Sequence, residues 1–195
     1  TATDGGHGQT MKAMIDGGAD KLLKFLRYYG IDGIGYNSEF SIGSGLSADG
    51  LKTLLSQCFA KREAAKWPYF TNAWYSLMTS GGTVGGGDAL SSSNQDWFHW
   101  NGNPTSDAYF MNYNWGASGL STSQSTAKSF AGRSSYDVYG GMDFQGRSVA
   151  DWVALKNAEI SVGIWGAHNM NMIFEGRGEL GSSPLTKQKT YQLIS

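Results

Sequence analysis

The chain has 195 residues, enough for one domain with a substantial core, and 15 Lys and Arg against 16 Asp and Glu leave a formal net charge of −1. Charged residues make up only 16%, so no electrostatic grip on nucleic acid or an anionic membrane is expected. No window approaches about 20 uninterrupted apolar residues, which argues against a membrane span, and a single cysteine, Cys58, excludes an internal disulfide or a cysteine-based metal cluster.

Two excesses are informative: 28 glycines, and 13% aromatic residues with seven Trp. Glycine permits tight strand-end turns and close backbone approach to ligands. Trp and Tyr offer flat apolar faces with a polar edge, which suit sugar rings and ordinary cores alike. Thr1–Gln9 shows no charged segment followed by an apolar one, so any signal peptide is expected to lie outside this sequence or to have been removed. The expected location is secreted, periplasmic or at a bacterial cell surface, with the cytoplasm as the alternative.

Taken in order, Thr1–Gly8 reads as a polar, glycine-rich loop around His7. Apolar residues at Met11, Met14, Ile15, Leu22, Leu23, Phe25 and Leu26 have helical spacing interrupted by Gly17-Gly18, which predicts one main helix over Ala19–Tyr29, stopped by Gly30. Ile31–Tyr36 reads as a strand. Ser47 is a candidate N-cap for a helix whose apolar stripe is Leu51, Leu54, Leu55 and Phe59, with Pro68 beyond its end. Tyr69–Met78 is an aromatic second strand, and it opens into the glycine-rich loop Thr79–Gly87. That loop lacks the Lys-Ser/Thr ending and regular glycine spacing of a phosphate cradle. Further strands are expected over Asp107–Trp115, alternating around Tyr109, Met111 and Tyr113, then over Tyr136–Phe144 and Glu159–Ala167, with helices over Ser121–Gly132 and Val149–Ala158 between them.

Strands alternating with helices imply βα units and a parallel sheet, either an open doubly wound sheet or part of a (β/α)₈ barrel. Typical barrels need about 250 residues. No dinucleotide fingerprint follows any strand, and polar residues stand at the C-terminal end of strand after strand: Asn37 and Glu39, Tyr75, Asn112 and Asn114, Asp143 and Gln145, then His168. Barrel active sites are assembled at those ends, which favours an α/β, (β/α)₈ TIM-barrel type of fold.

The densest candidate is Asn37-Ser38-Glu39. Successive strand side chains alternate, so Asn37 and Glu39 share a face while Ser38 points away. Glu39 is the carboxylate nominated for proton transfer, with apolar and aromatic neighbours expected to favour its protonated form. A retaining glycosidase usually carries a second carboxylate as nucleophile about 5 Å away. An amide cannot play that part, but it can orient a substrate that supplies its own nucleophile, such as a 2-acetamido group. Taken alone, Asn-x-Glu also fits a chance loop tripeptide. Tyr75, Trp115 and Trp165 fit packing roles as well as site roles, and Asp143 fits a turn as well as a binding residue. His7, His99 and His168 lack ligand spacing, so no metal and no cofactor are expected. Cys58 lies in a helical pattern and reads as a small buried residue rather than a nucleophile.

Four motifs in order resemble glycoside hydrolase family 85, the endo-β-N-acetylglucosaminidases. Asp32-Gly33-Ile34-Gly35-Tyr36-Asn37-Ser38-Glu39 is similar to that family's Asp-Gly-(apolar)-x-x-Asn-x-Glu signature. Ala73–Thr79 resembles its Trp-Tyr-Asp-Ser-Met-Thr strand, Phe110–Trp115 its Phe-Leu-Asn-Tyr/Phe-x-Trp segment, and Tyr139–Arg147 its Gly-Ile-Asp-Val-x-Gly-Arg segment. The resemblance implies a barrel catalytic region over 1–195, covering only the later βα units and completed by strands from the rest of the protein or another chain. It implies an N-glycan or glycoprotein substrate cut between the two core N-acetylglucosamines. Glu39 would be the acid/base, Asn37 would orient the acetamido group, and Tyr75 would hydrogen-bond near it. Trp74, Asn112, Trp115, Asp143, Gln145 and Trp165 would bind substrate. Two departures stand out: the family's Asp after the strand Tyr is Ser76, and its Trp-Gln-Asn-Ala-Leu pattern corresponds to Gly86-Gly87-Asp88-Ala89-Leu90. Loss of that Trp leaves acceptor-side stacking to Trp97 or Trp100. A sugar-binding scaffold that kept the cleft and lost catalysis is the alternative function, and a hydrolase using Cys58 a further one.

Overall fold

The structure is a computed structural model that describes residues 5–43, 46–67, 69–143 and 151–166. Its strands are β1 (Gly33–Tyr36), β2 (Thr71–Tyr75), β3 (His99–Trp100), β4 (Asn103–Pro104), β5 (Ala108–Phe110), β6 (Val138–Asp143) and β7 (Ser161–Trp165). Five of them form one all-parallel sheet in the order β1-β2-β5-β6-β7, while β3 and β4 pair as a separate antiparallel hairpin. A doubly wound sheet reverses its strand order at a switch point. Here the sheet follows chain order from edge to edge, as in a barrel wall. The choice that periodicity left open is settled in favour of the barrel type.

Helix α1 (Gly5–Tyr28) precedes β1, α2 (Ala48–Ala64) joins β1 to β2, α3 (Ala117–Ser129) joins β5 to β6, and α4 (Trp152–Asn157) joins β6 to β7. The first helix begins at Gly5, in the stretch read as a loop, and bends at Gly18, where φ is 73°. It ends as expected: Gly30 has φ 69°, and the Ile31 N–H closes on the Leu26 carbonyl at 2.9 Å. Ser47 caps α2, its hydroxyl accepting from Gly50 N at 3.1 Å. Leu22, Leu23 and Leu26 of α1 and Leu51, Leu54, Leu55 and Cys58 of α2 join one buried core on the outer face of the sheet. The observed strands are shorter than expected because ladder pairing stops before the apolar pattern does.

Alternation along the strands divides two environments. Tyr36, Trp74, Tyr109, Val138 and Met142 are buried with that core. On the opposite, inner face small residues surround the Phe110 ring. A Cβ on Gly163 would lie 2.3 Å from Phe110 Cε2, and one on Gly141 would lie 2.8 Å from Phe110 Cε1 and 2.3 Å from the Met111 carbonyl. The two glycines therefore vacate the space that Phe110 fills.

The β2–β5 crossover contains no α-helix. A 3₁₀ turn, Gln95–Trp97, leads into the β3–β4 hairpin. Trp97 is fully buried, stacks on Trp74 at 4.2 Å with 7° between the rings, and donates its indole N–H to the Thr79 carbonyl at 2.8 Å. Lys52 of α2, also buried, reaches the Ser80 carbonyl at 3.0 Å and the Asp49 and Asp96 carboxylates at 2.9 and 3.3 Å. The crossover is thus tied to the helix layer. The hairpin was missed in the sequence, although Asn101-Gly102, with φ of 49° and 77°, is a strong hairpin-turn signal.

At the N-terminal ends of the strands, Arg62 donates to Asp107 at 2.8 Å, and the other Asp107 oxygen accepts the Asn72 N–H at 2.8 Å. Arg133 reaches the Ser106 carbonyl at 2.8 Å and Asp137 at 3.1 Å. This end of a barrel serves stability rather than chemistry.

Gly163→Ala pushes a methyl into the Phe110 ring and is expected to cost about 1–3 kcal/mol. Gly141→Ala is expected to cost at least as much, because its second obstacle is backbone. Denaturant unfolding of the two variants against wild type is the measurement.

Candidate active site

Beyond Tyr36 the β1 ladder ends, yet the alternation continues: Asn37 and Glu39 are exposed on the inner side while Ser38 and Phe40 are buried. The Asn37 Nδ2 donates to Glu39 Oε2 at 3.3 Å. A carboxylate offers only acceptors, so the amide nitrogen faces Glu39 and the amide oxygen is left as an acceptor. The expected juxtaposition of amide and carboxylate is present. The expected enclosure of Glu39 is not: its carboxylate is exposed at the cleft, because the aromatic residues nearest in sequence, Tyr36 and Phe40, turn to the other face.

Tyr75 stands at the end of β2, the neighbouring strand, half-buried on the inner face. Its hydroxyl donates to Asn112 Oδ1 at 2.8 Å. Burial, followed by the nearby Tyr113 and Glu39, pushes the phenol pKa well above its ordinary value, so it remains a protonated donor. Ser76, the departure from the family's Asp, is fully buried: it accepts the Asn112 N–H at 2.9 Å and donates to the Gly87 carbonyl at 2.5 Å. It frames the site from behind, so its replacement removes no side chain from the cleft.

Gly35, Asn37, Glu39, Ala73, Tyr75, Phe110, Tyr113, Asp143 and Trp165 line a cleft of about 640 Å³ at the C-terminal strand ends, a volume that suits a small ligand. Of the residues nominated from the sequence, Asn37, Glu39, Tyr75, Asp143 and Trp165 border it, and Asn112 reaches it through Tyr75. Gln145 and His168 lie outside the described residues. Two tryptophans need correcting. Trp74 contributes to the cleft wall, but it is 1% exposed with its ring stacked on Trp97, and Trp115 is 4% exposed with its indole N–H donated to the Gly141 carbonyl at 2.8 Å. Neither offers an open face to a sugar. Trp97 is fully buried too, and Trp100 lies under the Lys52 ammonium at 5.3 Å in the hairpin. The missed residues are Phe110 and Tyr113. Alternation grouped Tyr113 with Tyr109 and Met111, but the strand stops at Phe110, and the turn that follows brings Tyr113 round to the cleft while Tyr109 and Met111 stay buried.

The competing centres are weaker. Cys58 is fully buried on α2, and burial pushes its thiol up to about 12, which leaves it no thiolate for nucleophilic attack. His99 is buried and stacks on Phe130 at 4.6 Å. A second cavity of about 440 Å³ at the opposite strand ends is lined by Arg62, Arg133, Asp107 and Asp137, whose charges already pair with one another.

An α/β barrel wall with an acid–amide pair at the C-terminal strand ends has the build of a barrel glycosidase. The chain belongs to glycosyl hydrolase family 85, whose family model matches residues 8–178. Its fold is similar to that of the glycoside hydrolase domain of Endo-D, Spr0440, from Streptococcus pneumoniae R6, with a TM-score of 0.69 and 24% identity. That match covers 87% of this chain and 29% of the other, so this chain spans less than a third of its structural relative. No curated protein matches.

Trp115→Phe removes the donor to the buried Gly141 carbonyl and is expected to cost about 1–3 kcal/mol of stability. If the indole were instead a sugar platform, the change would appear in substrate KM with stability intact. Because the folded thiol pKa lies above the unfolded value, Cys58 contributes stability below about pH 8.5 that is lost as pH rises towards 12. A disulfide reagent at pH 8 is accordingly expected to label Cys58 only after denaturation.

Proposed function

We propose that this chain carries the acid/base centre of an endo-β-N-acetylglucosaminidase that cleaves the GlcNAc-β1,4-GlcNAc core of N-linked glycans. The observation that carries the reading is the Asn37–Glu39 contact, an amide beside a carboxylate in an open cleft with Tyr75 on the next strand. Membership of family 85 and the Endo-D-like fold support the substrate class.

The geometry suits a substrate that attacks itself. The other carboxylate bordering the cleft, Asp143, stands on β6, three strand spacings from β1 and roughly 14 Å along the sheet. The neighbours of Glu39 are an amide and a phenol. In the first step Glu39 protonates the glycosidic oxygen as the acetamido oxygen closes on the anomeric carbon. The Asn37 amide oxygen, left open by the contact of its nitrogen with Glu39, accepts the acetamido N–H and aligns that attack. The protonated Tyr75 phenol adds a hydrogen-bonding group beside the reacting centre. In the second step the Glu39 carboxylate takes a proton from the water that opens the oxazolinium, and the configuration is retained.

Release of glycan from a high-mannose glycoprotein by the full-length protein is the test. Glu39→Gln is expected to lower release by about 10²–10⁴-fold. Asn37→Ala is expected to depress turnover of the glycan far more than hydrolysis of a preformed sugar oxazoline, which has already passed the step Asn37 aligns. Full release by the Glu39→Gln variant would reject the mechanism, and binding without release by the wild type would favour the scaffold alternative.

A further inference from the structure

Outside the cleft, the buried polar groups nearest the proposed chemistry are two serines. Ser38 sits between Asn37 and Glu39 with its side chain on the opposite face and fully buried. The last ladder pair of β1 and β2 is Tyr36↔Trp74. Beyond it, the Ser38 hydroxyl donates to the main-chain carbonyl of Tyr75. Tyr75 is itself tied onward: Ser76 N–H donates to the Phe110 carbonyl at 2.9 Å, and the Tyr75 phenol donates to Asn112 at 2.8 Å. Ser38 is therefore the only side chain among the described residues that links Asn37-Ser38-Glu39 directly to the Tyr75 strand end by a hydrogen bond.

Resting on the hydrolase reading above, we propose that Ser38 is a positioning residue for this site: its buried bond to Tyr75 O fixes the Asn37–Glu39 segment against the Tyr75 strand end. The physical need is plain. Asn37 and Glu39 are exposed, lie past the end of regular pairing, and hold each other only through a 3.3 Å contact. Without a tether on the reverse face, both would shift together relative to Tyr75. A displacement near 1 Å is enough to cost about 10²-fold in rate. A hydroxyl donor is required, because it must reach a neighbouring carbonyl inside a packed layer. A polar side chain without that partner would be an unsatisfied group in the core.

The experiment compares Ser38→Ala, Ser38→Thr and Ser38→Cys with wild type in the full-length protein. Glycan release is normalised to folded enzyme, with melting temperatures recorded. Ser38→Ala is expected to lower kcat by about 10–100-fold with KM within about twofold, and Ser38→Thr, which keeps the hydroxyl, to recover most of the loss. In an Asn37→Ala background the further loss from Ser38→Ala should shrink, since there is less alignment left to disturb. Should Ser38→Ala fail to fold, Ser38→Cys replaces it: similar in size but a weak donor, it is expected to show the same fall in kcat. A normalised kcat equal to wild type in whichever of these variants folds overturns the proposal, as does a loss that Ser38→Thr fails to relieve. Wild-type protein that releases no glycan sinks the hydrolase reading and this inference with it. An active wild type beside an unaffected Ser38→Ala sinks the inference alone.

Discussion

A phenylalanine ring on the inner face of a curved parallel sheet needs small neighbours. Phe110 has them in Gly141 and Gly163, on the two strands that follow it across the sheet. With that space open, the ring sits 6.0 Å from Tyr75, tilted against it, and 6.1 Å from Tyr113, edge-on to it. Aromatic contacts at these separations contribute modestly beyond the area they bury, but here they set geometry. Phe110 forms part of the cleft wall, Tyr75 rises beside it towards Glu39, and Gly163 passes beneath towards Trp165. A side chain at either glycine would displace the ring that the Tyr75 phenol leans on.

The division between the two faces then decides which aromatic residues are available to substrate. Trp74 and Tyr75 are adjacent in sequence and face opposite ways, so one is locked into a stack with Trp97 while the other reaches the cleft. Trp115 is fixed through its indole N–H to Gly141, the glycine that accommodates Phe110, and so supports that close approach from behind. Much of the aromatic content is scaffold for a small number of exposed rings. Trp165, 53% exposed at the end of β7, is the tryptophan of the cleft whose ring remains open.

How much of this was legible follows from the range of each signal. Period-two alternation is local, and it placed Asn37 and Glu39 on one face and Ser38 on the other. Capping chemistry is local too, and it located Ser47 and Gly30. The βα rhythm suggested a parallel sheet, but strand order is a property of pairing between distant segments, so the rhythm alone fitted a barrel and a doubly wound sheet alike; polar strand ends favoured the barrel, and the order β1-β2-β5-β6-β7 agrees with it. Tyr113 was misassigned because the end of a strand is set by its neighbour's ladder, not by its own pattern. Trp74 and Trp115 were misjudged for a related reason: an indole beside a cleft motif reads the same whether its partner is a sugar or another ring. The exposure of Glu39 was likewise hidden, since sequence neighbours of a strand residue lie on the other face.

The two departures from the family pattern, read separately in the sequence, meet in the structure. The Ser76 hydroxyl accepts from Asn112 N–H and donates to Gly87 O, so it uses both halves of its hydrogen-bonding capacity. An ionised aspartate at this position would accept from Asn112 but have nothing to donate, and it would face the Gly87 carbonyl oxygen with like charge. Gly87 in turn has φ of 107°, and a Cβ there would lie 3.0 Å from the Ser76 oxygen. A glutamine, the family's residue at that point of the pattern, would be strained in this backbone conformation and crowded against the serine. Serine and glycine therefore fit each other, and together they hold the Asn112 N–H, while the Asn112 side-chain oxygen accepts a hydrogen bond from the Tyr75 hydroxyl. The altered loop thus keeps the strand ends of β2 and β5 tied together behind the cleft.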